Sequence, residues 1–367
     1  MPNTVGLHPR LALVPSRPVA EEVVGWPAWL LTAKDIVEAA LVAAQDGTTA
    51  RQCMTPETWL EQWRTAHRGT SAFAAAATNA SSSTSQPRIP RLVMQTTRNA
   101  SAAATASLPR SEWMRSWRRL NPEYEHVLLD DADGRDFVLR FGSDAERLAY
   151  EQALTPQSRA DLLRLLWLRE LGGWYADTDV ALYRPLRELL SVGGGGSAED
   201  RDDDGGEGRG TSAVALGGFS METMAFEPHH PFLIAALALA TSRVSNETAK
   251  LRSGCGGGPG RTGGCCRGPE ACVIRTTGPK GYMSAIIAAA PFLGCEPDQR
   301  QLPSARRCAR SPLHSVRNIL SVPRVLRALT HFDCRFSAER RDCGASHYSV
   351  TRSFFNASVV EPPPRTC

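Results

Sequence analysis

An α/β protein with a helical N-terminal extension is what this sequence predicts, and three observations predict it. "RIPRLVMQTT" followed by "LPRSEWMRSWRRLNPEYEHVLLDD" reads as strand, helix, strand, the start of an α/β sheet. "TPQSRADLLRLLWLRELGG" is the strongest helix in the chain and leads through two glycines into "WYADTDVALY", which reads as another strand. An apolar content of 42% in 367 residues provides a sizeable core.

The elements follow in order. Residues 1–86 form the extension, with an amphipathic helix from Ala33 to Ala44 and a second helix around Pro56 to His67. "SAFAAAATNASSSTSQP" reads as a linker of small polar residues. It sets a boundary near Gln86, after which 87–367 form the main domain. "MPNTVGLHPRLALVPSRPVA" lacks the apolar core of a signal peptide. The two most apolar runs do not span a bilayer: one is interrupted by Lys34, Asp35 and Glu38, and "PFLIAALALA" is too short. Association with a membrane is left open.

"RLVMQT" is expected as a buried strand. Trp113 and Trp117 lie at helical spacing, and Asn121-Pro122 stops that helix. "YEHVLLDD" is the next strand. In the Leu-rich helix, Ser158 with Asp161 three residues on matches a capping box. Gly172 fits its C-terminal stop. "TSAVALGGFS" reads as a further strand. Two inserts interrupt this pattern. Residues 193–210 are Gly-rich, acidic and expected to be flexible; residues 253–272 are Gly- and Cys-rich.

A net charge of +4 gives no reason to invoke nucleic acid. Nine of the ten cysteines, from Cys255 to Cys367, lie in the C-terminal third. That clustering suits disulfides in an oxidising compartment. A zinc site built from the cysteines of the second insert is the other reading, though their spacing lacks a paired C-x-x-C. Asn79, Asn99, Asn246 and Asn356 each begin an N-x-Ser/Thr acceptor pattern.

Asp177 and Asp179 pose the chemical question, because carboxylates in an apolar segment are costly to bury. If Ala176 to Val180 is extended, both point to one side and repel. A divalent cation removes the conflict, and hard oxygen ligands suit Mn²⁺ or Mg²⁺. Such an ion keeps positions for substrate phosphates. A turn carrying two solvated aspartates is the other reading that the spacing allows.

"SRADLLRLLWLRELGGWYADTDVALYRPL" resembles the core signature of the Asp-x-Asp sugar transferases of glycosyltransferase family 32. Fainter similarities follow in order: "IPRLVMQTT", "SWRRLNPEYEHVLLDD", "MAFEPHHPFL", "TTGPKGYMSAI" and "SHYSVTRSFF". Together they cover roughly Ile89 to Phe355, apart from the inserts. The resemblance implies a GT-A fold, a Rossmann-like mixed sheet flanked by helices. A nucleotide-sugar donor then sits at the carboxyl ends of the strands.

By the same resemblance Asp177 and Asp179 are the metal-binding pair, with Asp179 expected as the direct ligand. Asp161 and Arg164 match the family's Ala-Asp-x-x-Arg segment, one helical turn apart. There the Asp contacts the donor sugar and the Arg supports the donor or the Asp pair. Helix capping by Asp161, with Arg164 as its partner only, is the plainer alternative. Gln95 and Thr96 fall at the donor end of the first strand. Tyr175 is placed beside the metal strand, where core packing also accounts for it. Gly278 and Pro279 resemble the segment lining the acceptor side, although Gly-Pro also makes an ordinary turn. His347 and Ser353 are implied near the diphosphate. The chain departs from the family at Thr97 and Phe354, where relatives carry aromatics.

The implied reaction is metal-dependent, retaining transfer of a sugar to a glycan or glycolipid hydroxyl. Negative charge building on the leaving phosphate would be met by the metal, Arg164, His347 and Ser353. The phrasing of the signature is closer to the mannosyltransferase branch, which implies GDP-mannose. UDP-sugar-dependent galactosyl or N-acetylglucosaminyl transfer is the alternative, as is an inactive sugar- or nucleotide-binding descendant. A two-carboxylate hydrolase needs its groups on opposite sides of a bond, which one strand face does not provide. The resemblance, the sequons and the cysteines together imply the lumen of the Golgi or endoplasmic reticulum.

Overall fold

A computed structural model describes residues 28–45, 54–67, 88–98, 110–188, 213–216, 221–253, 270–293, 295, 319–322, 329–331 and 358–366. Its centre is a mixed sheet. Strands β1 (Leu92–Thr96), β2 (Glu125–Leu129), β3 (Gly173–Ala176), β4 (Val180–Leu182), β5 (Ala213–Leu216), β6 (Thr223–Phe226), β7 (Ile319–Val322) and β8 (Leu329–His331) are described. Six of them pair in the order β2-β1-β3-β6-β5-β7, while β4 and β8 form a separate pair. β1 runs parallel to both β2 and β3, with Met94 opposite Val127 and Tyr175. β6 runs antiparallel to β3 and β5, and β5 is parallel to β7. The unbroken apolar run Leu92, Val93, Met94 is what a parallel strand covered on both faces requires.

The helices are α1 (Ala28–Gln45), α2 (Pro56–Ala66), α3 (Arg110–Leu120), α4 (Asp131–Phe141), α5 (Asp144–Gln152), α6 (Pro156–Leu171), α7 (Pro231–Arg252) and α8 (Pro279–Ala289). The expected α/β architecture with N-terminal helices is therefore present. α4 and α5 add to the anticipated elements. Each opens on a capping box, Asp130 with Asp133 and Ser143 with Glu146. The start of α6 differs from expectation. Its N-cap is Thr155, whose hydroxyl accepts the Ser158 amide, so Ser158 already lies in the first turn. Pro156 takes the first helical position, where no amide hydrogen is needed. Asp161 is thereby released from capping.

α6 ends as expected at Gly172, which has φ 66°, and Gly173 follows at φ 90°. A Cβ on Gly172 would lie 2.9 Å from the Phe226 carbonyl oxygen, and one on Gly173 would lie 2.6 Å from that of Leu92. Both glycines are required for the chain to reverse from the helix straight into the sheet.

Each face of the sheet has its own core. One buries Met94, Tyr175, Met224 and Phe226 under α6, α7 and α8. The other buries Val93, Trp174, Ala176 and Ala225 against Trp117 of α3 and Val180 and Leu182 of β4. The N-terminal helices join the first core. α1 packs on α7 and α8. Trp59 of α2 meets Phe137 edge-on at 5.0 Å and Trp167 at 6.1 Å, and its indole donates to Asp136. Such aromatic contacts add to the area they bury. We keep the division near Gln86 as a proposal about chain organisation.

Most of both inserts lies outside the described residues, as do Asn79, Asn99 and Asn356. Asn246 sits inside α7, and its acceptor threonine, Thr248, is buried with its hydroxyl bonded to the Val244 carbonyl. That is not the surface loop the pattern suggests. Cys295 is in a disulfide, whereas Cys272, expected among the disulfides of the second insert, is a buried free thiol. No described helix is long and apolar enough to cross a membrane.

Trp59→Ala removes the aromatic that anchors α2 in the core. Its expected cost is about 3–5 kcal/mol of stability, measured as a lower urea midpoint with an unchanged slope.

Candidate active site

The segment expected as one strand from Trp174 to Tyr183 is two. β3 stops at Ala176, and the Val180 amide bonds the Asp177 carbonyl at 3.1 Å, closing a turn. β4 then leaves for a different sheet, paired with β8. Asp177 and Asp179 therefore share a tight turn at the end of β3, an interior strand of the sheet, and do not alternate along one strand. The Asp177 amide is fixed by the Glu222 carbonyl at 2.9 Å, at the entrance to β6.

The turn's exit is held by α3. The Trp117 indole donates to the Val180 carbonyl at 2.8 Å, and the Ser116 hydroxyl accepts the Leu182 amide at 2.9 Å. The Asn121 side chain accepts the Leu186 amide at 2.7 Å. Side chains of a helix, and of the residue just after it, here satisfy backbone groups that would otherwise be orphaned on burial.

Arg164 organises the other side. Only 6% of it is exposed. Its Nη2 lies 3.2 Å from Asp161 Oδ1, and its Nη1 lies 3.1 Å from Asp177 Oδ1. Nη1 also donates to the Met221 carbonyl at 2.6 Å, and Nε to the Ala160 carbonyl at 3.2 Å. The guanidinium lies over the Tyr175 ring, 4.2 Å from its centroid. Burial opposes its charge, yet Asp177, Tyr175 and Asp161 raise its pKa above the ordinary value. The Tyr175 hydroxyl donates to the same Asp177 oxygen. Tyr175 is thus both a core residue and part of the site.

Asp161 is 6% exposed, with its second oxygen taken by the Thr277 hydroxyl at 3.0 Å. Burial pushes its carboxyl up to about 6, against the pull of Arg164 and Thr277. Thr277 is the residue that sequence reasoning missed: the Thr-Gly-Pro segment was noted for Gly278 and Pro279. Those two start α8, as N-cap and first helical residue.

At the end of β1, Gln95 is buried and its Nε2 lies 3.5 Å from the Asp177 carbonyl, the outer limit of a hydrogen bond. The Thr96 hydroxyl is 3.4 Å from that of Tyr175. Thr97 follows, half-buried, its amide on the Leu129 carbonyl at 2.9 Å. Asp161, Arg164, Asp177, Gln95 and Thr96 are therefore gathered around one strand end, with Asp179 two residues on. His347, Ser353 and Phe354 lie outside the described residues.

The donor set suits a hard cation. The Arg164 ion pair and the Tyr175 hydrogen bond both engage Asp177 Oδ1. Asp179 is half-buried in the same turn. No group of three or more His, Cys, Asp or Glu side chains able to hold a metal occurs among the described residues. Two carboxylates supplemented by substrate phosphate oxygens is the usual provision for Mg²⁺-like ions.

Residues 110–193 match the family model described as a glycosyltransferase sugar-binding region containing a DXD motif. That span runs from α3 through α6 and the aspartate turn. The initiation-specific alpha-1,6-mannosyltransferase of Schizosaccharomyces pombe is 30% identical over 105 residues, 28% of this chain and 24% of that protein. The chain thus spans about a quarter of the curated relative it matches. A solved structure titled PaToxG Glycosyltransferase is 13% identical with a TM-score of 0.33, over 78% of this chain and 96% of that one. The matched segment resembles a DXD-containing sugar-binding region. The family model and the mannosyltransferase relative agree in likening part of this chain to sugar transferases.

The raised Asp161 carboxyl makes stability fall with pH. The folded protein keeps this proton to about pH 6, whereas the free group releases it near 3.8. Its contribution is full below about pH 4 and is lost as pH rises through 6. The unfolding free energy of wild type minus that of Asp161→Asn should be larger at pH 4 than at pH 7 in denaturant titrations.

Proposed function

We propose that this chain is a metal-dependent, retaining glycosyltransferase of GT-A architecture. It moves a sugar, mannose from GDP-mannose, onto a hydroxyl of a glycan or glycolipid. One observation carries the reading: the buried Arg164 guanidinium bridges Asp161 and Asp177 at the end of β3. A single fixed cation thus joins the family's sugar-contacting carboxylate to its metal-binding pair. A hydrolase with carboxylates on opposite sides of a bond is disfavoured, because these two converge on one group.

Asp177 and Asp179 are the residues that would hold Mn²⁺ or Mg²⁺. When bound, such an ion supplies Lewis-acid stabilisation of charge on a leaving diphosphate. The chain's own residues supply the rest. Arg164 holds Asp177 in place and contributes a preorganised positive potential in a water-poor setting. Tyr175 fixes the same Asp177 oxygen by donating its proton. Asp161, anchored through both oxygens, keeps lone pairs for a hydroxyl of the donor sugar. Gln95 and Thr96 line the strand end where the donor enters, with His347 and Ser353 proposed at the diphosphate. Among the described residues around the strand end no covalent nucleophile is assigned, and we assign acceptor attack assisted by the leaving phosphate.

The alternative donors are UDP-galactose and UDP-N-acetylglucosamine. Thr97, in place of a base-stacking aromatic, also favours a second reading, an inactive sugar- or nucleotide-binding descendant. The Golgi or endoplasmic reticulum lumen is the proposed location, supported by the Cys295 disulfide.

Purified protein is to be assayed with GDP-mannose, UDP-galactose and UDP-N-acetylglucosamine, with and without Mn²⁺. The expected result is Mn²⁺-dependent consumption of GDP-mannose, with turnover falling to background in Asp179→Asn at an unchanged circular dichroism spectrum. Binding of a nucleotide sugar without turnover supports the inactive descendant; no binding with Mn²⁺ present overturns the transferase reading.

A further inference from the structure

Thr277 lies 116 positions from Asp161 in the chain, yet its hydroxyl meets Asp161 Oδ2 at 3.0 Å inside the core. Neither residue has freedom to wander. Thr277 is 0% exposed. Its amide and those of Thr276 and Gly278 all converge on the Val273 carbonyl, at 3.1, 3.2 and 2.8 Å. Gly278 is pressed against this turn, since a Cβ there would lie 3.0 Å from Ile274 Cα and 3.1 Å from the Val273 oxygen. Gly281, in the first turn of α8, is packed as closely: a Cβ there would lie 2.6 Å from the Thr276 carbonyl oxygen. Pro279 pre-sets the first turn of α8. The hydroxyl is therefore delivered from a rigid mount.

The carboxylate it meets is pinned at both oxygens, Oδ1 by Arg164 and Oδ2 by Thr277. With one anchor alone a carboxylate pivots about that contact. With two its plane is fixed, and so is the direction of its remaining lone pairs. Arg164 cannot supply the second anchor, because Nη1 is committed to Asp177 and the Met221 carbonyl.

We infer that Thr277 is a positioning residue that orients the Asp161 carboxylate toward the sugar of the donor, making the turn before α8 part of the sugar-recognition apparatus. This rests on the transferase reading above. Its consequence is selective. Losing the Thr277 hydroxyl should impair what the site does with the sugar and leave its hold on the nucleoside diphosphate intact. A purely structural role would weaken both together.

The test compares wild type, Thr277→Val and Thr277→Ser. Three quantities are measured: kcat and KM for the nucleotide sugar that wild type consumes, the calorimetric Kd of the matching nucleoside diphosphate with Mn²⁺, and Tm. The valine variant keeps the shape and removes the donor. It should lose about tenfold or more in kcat/KM, mostly in kcat. Its nucleoside diphosphate Kd should stay within about twofold of wild type, and Thr277→Ser should recover the activity. An active wild type with an equally active valine variant overturns this inference alone. So does a parallel loss of diphosphate affinity and activity that serine does not rescue. A wild-type protein that neither binds nor consumes any nucleotide sugar overturns the transferase reading, and this inference with it.

Discussion

A guanidinium sealed inside a helix buried along most of its length is the constraint around which the rest is arranged. Desolvating a cation costs several kcal/mol even after local relaxation, and the cost is met only by close, well-aligned partners. Arg164 finds them in three separate parts of the chain: Asp161 on its own helix, Asp177 in the turn after β3, and the Met221 carbonyl before β6. Because the charge cannot be left uncompensated, these parts cannot drift independently. Withdrawing one partner of such a group typically costs 3–5 kcal/mol. The same interaction thus sets both the register of α6 on the sheet and the placement of the aspartate turn.

Much of this was legible in the sequence, and the failures have identifiable causes. α6 declares itself by its leucines and by Gly172, since helical periodicity and a glycine stop are local signals. Asp161 and Arg164 are legible as a pair because i, i+3 spacing puts them on one face. The cap was misplaced from Thr155 to Ser158. Both residues carry a hydroxyl, and Pro156 at the first helical position is the cue that separates them. The aspartate turn was hidden for a deeper reason. "WYADTDVALY" has strand-forming residues on both sides of the pair, and alternation does not reveal a change of sheet. Thr277 had no local signal at all. Its role exists only because folding closes a long excursion, and a threonine before Gly-Pro looks like any turn residue.

The helices before Gln86 pack into the same core as later elements. α2 enters through Trp59, and Arg64 pairs with Glu125 at the head of β2, with 2.6 Å from Nε to Oε1. α1 lies against α7 and α8, and α8 is the helix whose first turn follows Thr277. A continuous stack therefore runs from α1 through α8 and Thr277 to Asp161. Its components are packed side chains and one hydrogen bond, so it acts as a support holding a single geometry.

The clasp formed by Ser116, Trp117 and Asn121 has a mechanical consequence. It binds the chain just after the aspartate turn, while the Asp177–Arg164 pair and the Glu222 carbonyl bind it just before. The turn is thus a short span fixed at both abutments. The Asp177 carboxylate within it, held by Arg164 and Tyr175, lost much of its freedom when the protein folded, so the entropy of ordering it is already spent.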